Sequence, residues 1–547
     1  MLVLIYKNNL DHLLIIAAFV LLFGSTSCSD FLQKDPTESP SQDTFWQKKS
    51  DFDSALAGIY SVLYERPFSG VLPCWDGLTD NAIVRFSEST YGEVMNIAKG
   101  DLTPNQGGFV SDVYNNCYKG IARVHIFMEQ LSNYQNVDIT DEEKTFMIAQ
   151  CKALHGYFYS WLYQCYRQVP LVTSSLDLNN MYQPKAERSA ILQQILTDYN
   201  EAIADLPDKL YTEPEVSGRF TKAAVQALKA RLLLFDAYDE NGVAKKENME
   251  EIQTVLESIR SGYSLASRTR DNFISTKQAS SPEIMFSVRY LRPNLTNSMD
   301  KWYGLWSALT ISRDLLDAFE CTDGEKWGVS PLTVRPDEAV LYGTDKEAKI
   351  AEREKMFINR DRRMSESIFH SQKANFKMDG LADESIKLND DNNESPTGFS
   401  MLKYIQPISE TLTESVVSDQ DVVIMRYAHV LLMKAEVENE LHGPTEKALS
   451  AVNEVRDRSG QRGLRQPITQ DELRERIRNE WRVETCFEGL RYFQLKRWKM
   501  MDKLNNLSDP GYPAYIKVYD PAFEFFPIPQ TEIDKSNGIL EQDPNYK

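Results

Sequence analysis

The stretch Arg478-Asn479-Glu480-Trp481-Arg482-Val483-Glu484-Thr485-Cys486-Phe487-Glu488-Gly489-Leu490-Arg491-Tyr492-Phe493, continuing to Leu495-Lys496-Arg497-Trp498, is the densest charged cluster of the chain. Thr469 and Glu472 form a capping box just before it, so the stretch reads as helical. Glu484 and Glu488, four apart on a helix, sit on one face, about 6 Å apart at Cβ. A glycosidase acid–base pair must instead flank the scissile bond from two sides of a cleft. The stretch is therefore expected to be structural: a partly buried ion network of Glu484 and Glu488 with Arg482, Arg491 and Arg497. Breaking such a network by removing one partner costs about 3–5 kcal/mol.

Helical patterning extends outward from this stretch. Residues 142–166 place Phe146, Ala149, Ala153 and Gly156 at spacings of three and four, with a capping box at Thr140 and Glu143. Residues 220–238 repeat the pattern with Ala227, Ala230, Leu234 and Ala237, and residues 422–441 with Ile424, Ala428, Leu431 and Ala435. After a break at His442-Gly443-Pro444-Thr445, a helix carries Ala448, Val452 and Val455. Small residues on a stripe let helices approach closely. Paired by short loops, such helices predict a mainly α fold on a tetratricopeptide-like helical-hairpin scaffold. Residues 262–345 and 371–420 suit inserted loops and short strands, which in a solenoid collect on one face.

The amino terminus carries a different signal. Leu13 to Phe23 is an apolar run of signal-peptide length, too short for the ~20 residues of a membrane span. Gly24-Ser25-Thr26-Ser27 then leads to Cys28. A cysteine at the cleavage position predicts lipid attachment there, although Ser25 stands where a lipobox usually has Leu or Val. An ordinary secretory peptide is the alternative. The expected organisation is a signal peptide over 1–27, lipidated Cys28 with a polar tether over 28–44, an N-terminal helical region over 45–240, and a C-terminal region with inserted loops over 241–547.

The 547 residues carry a formal charge of −19 and no basic block, which argues against nucleic acid as a partner. Six cysteines follow Cys28, scattered and without a Cys-x-x-Cys pair. They are expected to be mostly buried free thiols with at most one bridge. There is no GxSxG, HExxH, GxGxxG or GxxxxGK[ST] motif. The six histidines never sit at metal-ligand spacing, and His155 and His429 read as core histidines. Asp390-Asp391-Asn392-Asn393-Glu394 has the composition of a calcium loop but not EF-hand spacing, so the default is a solvated loop and no cofactor.

Several stretches together resemble the SusD/RagB outer-membrane lipoproteins of Bacteroidetes-type glycan-uptake systems. They are Cys28-Ser29-Asp30-Phe31-Leu32, Ala57-Gly58-Ile59-Tyr60, Ala153-Leu154-His155-Gly156-Tyr157-Phe158 and Arg426-Tyr427-Ala428-His429-Val430-Leu431-Leu432. Phe487-Glu488-Gly489-Leu490-Arg491-Tyr492 and the tail from Pro527-Ile528-Pro529 to Asp543-Pro544-Asn545-Tyr546 complete the likeness. Trp481, His429 and Gln494 depart from the family pattern. The resemblance implies a cell-surface lipoprotein that captures oligosaccharide without catalysis, partnered by a SusC-like TonB-dependent transporter in the outer membrane.

The family-like motifs do not locate a ligand. Sugars present apolar faces and hydroxyl rims, so recognition calls for exposed aromatic platforms beside amide, carboxylate and guanidinium groups. Two stretches supply these: Trp75-Asp76 with Asp80, Asn81, Arg85 and Tyr91, and Arg289-Tyr290 with Asn294, Trp302, Tyr303 and Trp306. The structural alternative makes these aromatics the core of their loops. Two other functions stay open at this level: a surface-anchored glycoside hydrolase, and a tetratricopeptide-type module that binds peptides or organises a complex.

Overall fold

The computed structural model describes residues 45–85, 89–216, 218–370, 375–377, 385–387, 395–407, 413 and 415–546. The expected signal peptide, Cys28, the tether and the run Asp390–Glu394 lie outside the described residues. The described chain divides into two compact units. The smaller holds residues 45–55 with Gln135–Asp138, and the larger holds Leu56–Tyr134 with the chain from Ile139 onward. Within the smaller unit the Lys49 N–H donates to Asp138 Oδ2 at 2.8 Å, and the rings of Trp46 and Phe52 lie 5.0 Å apart.

The longer helices are α1 (Lys49–Tyr60), α2 (Ser89–Ala98), α3 (Phe109–Asn133), α4 (Asp141–Cys165), α5 (Arg188–Asp205) and α6 (Lys222–Phe235). They continue with α7 (Lys246–Glu257), α8 (Lys346–Lys355), α9 (Tyr427–His442), α10 (Glu446–Arg458), α11 (Gln470–Thr485) and α12 (Arg491–Arg497). Both capping boxes form. The Glu143 N–H donates to Thr140 Oγ1 at 3.2 Å while the Thr140 N–H donates back to Glu143 at 2.9 Å, and Thr469 with Glu472 repeats the exchange. Each box satisfies two N–H groups that a helix start leaves unpaired.

Helices α3 to α7 pack each on the next, and α7 packs on α9, which contacts α10 and α11. The helical layer therefore resumes after the long insertion between α7 and α9. Two glycines allow the closest approaches. A Cβ on Gly120 of α3 would run into the Phe158 ring of α4, and one on Gly156 of α4 would stand 2.8 Å from the Tyr199 ring of α5.

The insertion carries most of the short strands. β1 (Ala82–Val84), β3 (Leu309–Ile311), β7 (Phe399–Met401) and β4 (Ile368–His370) form an antiparallel sheet in the order β1-β3-β7-β4. Its first ladder pairs Ala82 with Ile311 and Val84 with Leu309. β5 (Asn375–Lys377) pairs with β6 (Ser385–Lys387), and β9 (Ser508–Asp509) with β10 (Tyr512–Ile516). β2 (Ile284–Val288) pairs with β8 (Val422–Arg426). The last strand corrects the expectation of one helix over 422–441. The β-branched run Val422-Val423-Ile424 prefers an extended chain and finds a partner in β2, so the helix starts only at Tyr427. Cys74, Cys117, Cys151, Cys165, Cys321 and Cys486 are all buried free thiols. Among the described residues no helix is long and apolar enough to cross a membrane.

Candidate functional site

The charged cluster lies inside the molecule. Helix α11 ends at Thr485, and the chain turns through Phe487 and Gly489, both at positive φ (67° and 72°). Glu488 is thus in the turn, not on the helix with Glu484. Both carboxylates nevertheless meet on Arg426. Its Nη1 donates to Glu484 at 2.6 Å, and its Nη2 and Nε donate to Glu488 at 2.7 and 2.8 Å. Arg363 and Arg458 also pair with Glu484, and Lys403 with Glu488 at 2.8 Å. Burial would raise both carboxyls, but these cations outweigh it and hold both below the usual carboxylate range.

The partners differ from those expected. Arg491 binds Asp80 through Nε and Nη2, at 2.9 and 2.7 Å. Arg482 reaches Asp80 and Asp314, and Arg497 reaches Glu436 at 2.6 Å. Glu436 also accepts from the indole N–H groups of Trp481 and Trp498, each at 2.8 Å. The departures at His429 and Trp481 are absorbed in the same way, since His429 Nε2 lies 2.9 Å from Glu488. Glu484 is enclosed and saturated; Glu488 borders a cavity with Trp161, Arg231, Phe493 and Arg497, but its carboxylate is committed to Arg426, Lys403 and His429.

The first proposed ligand cluster mostly belongs to this interior. Trp75 has 0% exposure and stacks on Phe109 at 4.5 Å, with Trp161, Tyr492, Phe493 and Phe526 around it. The exposure that a sugar platform needs is absent there, because aromatic residues distant in sequence close over the ring. Asp76 accepts from the Phe487 N–H at 2.5 Å and from Asn81 at 3.1 Å, and burial pushes its carboxyl up to about 6. Asp80 and Asn81 are buried as well, with Asn81 accepting from Arg482 Nε at 2.8 Å. Burial would raise Asp80, but Arg482 and Arg491 hold it below the carboxylate range. The Tyr91 side chain lies outside the described residues.

Arg85 is different. It leaves β1 as β3 is entered, so the β1–β3 ladder places it against the segment that precedes β3. Its N–H donates to the Ala308 carbonyl at 3.0 Å, and its guanidinium to the Trp306 carbonyl at 3.1 Å. Residues Asp300–Leu305 form a π-helical turn, a geometry frequent at functional sites. Two inward anchors hold that turn. Asp300 accepts from the Gln406 N–H and the Ser418 hydroxyl, both at 2.7 Å, and burial pushes its carboxyl up to about 6. Tyr303 is fully buried and donates to the Gly70 carbonyl at 2.9 Å. On either side of Tyr303 the chain carries Trp302 and Trp306, both half-buried, with rings edge to face at 4.6 Å. Lys301 Nζ stands 4.8 Å from the Trp306 ring centre. The result is an aromatic ledge bordered by two cations.

Arg289 and Tyr290 line a separate cleft of ≈ 370 Å³ with Tyr60, Tyr64, Leu291 and Leu295. The rings of Tyr64 and Tyr290 meet edge to face at 5.3 Å, and the Arg219 guanidinium lies 5.1 Å from the Tyr60 ring. Tyr290 itself is buried, and its N–H donates to Asp421 at 2.9 Å. Arg289 pairs with Asp421 at 3.5 Å, and Asn294 is exposed in the adjoining turn. Sequence reasoning missed Tyr60, Tyr64, Arg219 and Lys301. Lys301 adjoins Trp302 in the chain, but no local pattern joins the other three to Arg289.

These features define a helical-repeat scaffold with inserted short strands and a surface aromatic ledge. One family model, described as the SusD family, matches residues 262–546, and another, described as starch-binding associating with outer membrane, matches residues 30–234. The chain belongs to the SusD family. SusD-like protein P25 of Formosa agariphila is 24% identical over 97% of this chain and 98% of its own length. A SusD-like protein of Bacteroides fragilis has the same fold, with a TM-score of 0.75 at 22% identity over 92% of this chain and 99% of that one. Surface glycan-binding protein A of Bacteroides thetaiotaomicron, solved with laminarihexaose, gives a TM-score of 0.65 at 19% identity, covering 91% of this chain and 100% of that one.

Proposed function

We propose that this chain is a non-catalytic, lipid-anchored, surface-exposed glycan-binding protein of the outer membrane. It captures oligosaccharide on the ledge of Trp302 and Trp306 and delivers it to a SusC-like TonB-dependent transporter. The observation that carries this reading is the ledge itself. Two half-buried indoles pack edge to face beside the buried residues Asp300 and Tyr303, with Lys301 against the Trp306 ring and Arg85 on the Trp306 carbonyl. Indole faces match the C–H faces of a sugar, and the two cations suit hydroxyl or carboxylate groups at its rim. The Arg289–Tyr64 cleft, with exposed Asn294, offers a second contact area. Family membership and the laminarihexaose complex of a structural relative support the ligand class.

Anchoring through Cys28 would hold the chain at the membrane, and stable anchoring takes more than one acyl chain. A glycan array probed with the full chain in detergent tests the function. Binding to at least one oligosaccharide, without release of reducing sugar from it, is the expected result. Release of reducing sugar would transfer the chain to the hydrolase class, and an array without any bound glycan would remove the reading.

A further inference from the structure

His125 on α3 and His155 on α4 are thirty residues apart, so no sequence spacing relates them; helix packing brings their rings together. His155 Nδ1 lies 2.6 Å from Asp198 Oδ2 on α5. A carboxylate accepts, so Nδ1 carries the proton and His155 Nε2 presents a lone pair. That lone pair meets His125 Nε2 at 3.2 Å, and His125 Nε2 also lies 3.1 Å from the Val172 carbonyl oxygen. A single N–H on His125 would have to serve both acceptors at once.

The ring geometry is unsuited to a straight hydrogen bond. The ring centres are 4.9 Å apart at 76°, whereas a linear N–H···N bond of the same length would hold them roughly 5.5 Å apart. The pair thus departs from a collinear N···N arrangement, as two ligands of one ion also do. Two imidazole nitrogens bound to one tetrahedral zinc, each about 2.0–2.1 Å from it, stand about 3.3 Å from each other.

We propose that His125 and His155 form a two-histidine site for a divalent late transition-metal ion, zinc in the first instance. His125 Nε2, His155 Nε2 and the Val172 carbonyl are the protein donors, and water completes the shell. Asp198 orients His155 from behind, the carboxylate–histidine–metal arrangement that fixes the tautomer and raises basicity. Lys152 stands beside Asp198 at 3.4 Å but also pairs with Glu201 at 2.9 Å, so the three side chains carry a net negative charge that favours a cation. His125 is half-buried, while His155 and Val172 are buried. On binding, the proton on His125 Nε2 leaves to solvent and the ring is reprotonated at Nδ1. The imidazole stays neutral and the Nε2 lone pair is freed.

The test is calorimetric titration of the full, untagged chain in detergent with zinc chloride, alongside a thermal scan. One zinc per chain and a raised Tm are expected. His125→Gln keeps a hydrogen-bond donor for His155 and Val172 but is a poor zinc ligand. It should preserve the metal-free Tm and weaken zinc binding by at least about tenfold. Electron paramagnetic resonance of the Cu²⁺-loaded wild-type chain should show two imidazole nitrogens, and this holds as a test even where the variant fails to fold. The proposal is overturned by a wild-type chain that does not bind zinc, by His125→Gln binding it as tightly, or by a copper spectrum lacking imidazole nitrogens.

Discussion

The guanidinium of Arg85 donates to the main-chain carbonyl of Trp306 at 3.1 Å, across 221 residues of sequence. This bond ties the end of β1 to the segment that carries the aromatic ledge. Arg85→Ala is expected to lower stability by about 1 kcal/mol, the worth of one such hydrogen bond, and to weaken glycan binding by loosening the ledge. Calorimetry against an array-identified oligosaccharide, paired with a thermal scan, separates the two effects.

Trp75 and Trp302 should behave oppositely. Trp302 lies half-buried on the ledge, so Trp302→Ala is expected to cost about 1 kcal/mol or more of glycan affinity in a chain that still folds. Trp75 sits at the centre of an aromatic cluster, and Trp75→Ala is expected to cost about 3–5 kcal/mol of stability. A Trp75→Ala chain with native Tm and impaired binding would reverse the assignment.

Arg426 compensates Glu283, Glu484 and Glu488 together. Arg426→Met leaves these carboxylates short of a buried partner and is expected to destabilise by about 3–5 kcal/mol in chemical denaturation. The pH dependence follows from the same pairs. Glu484, Glu488 and Asp80 are held below their unfolded values, so their contribution is complete above about pH 4.5 and is lost as pH falls further. Asp76 and Asp300, pushed up to about 6, act in the other sense, and their contribution declines as pH rises from about 4 through 6. Tm is therefore expected to fall steeply below about pH 4, and to do so less in Arg426→Met, whose pairs are already broken.

Gly156 leaves 2.8 Å between its missing Cβ and the Tyr199 ring. Gly156→Val is expected to push α4 off α5 at a cost of about 1–3 kcal/mol, measured by denaturant titration.

Cys28→Ala should leave thermal unfolding of the body unchanged and move the protein from the membrane to the soluble fraction. Membrane retention by the variant would show that Cys28 is not the anchor.

Local chemistry in the sequence was enough for several helix starts and packing faces. Thr140 with Glu143 and Thr469 with Glu472 announce two helix starts, because a capping box needs only four residues. The small-residue stripe carrying Gly156 announces close packing. The failures are non-local. Val422-Val423-Ile424 continues an apparent helical period, and only its pairing with β2 makes it a strand. Trp75 and Trp302 look alike in sequence. One is closed over by Phe109, Tyr492 and Phe526, while the other stays half-buried beside the buried residues Asp300 and Tyr303. The charged stretch read correctly as buried ion pairs in kind, but its glutamates meet Arg426 and Lys403, far away in the chain.

The most direct test is calorimetric titration of an array-identified oligosaccharide into the full chain and into the Trp302→Ala, Trp306→Ala double variant. Binding by the wild type and loss of at least about tenfold in affinity in a variant with native Tm is the predicted result. Equal affinity in the two proteins would contradict the placement of glycan capture on the ledge.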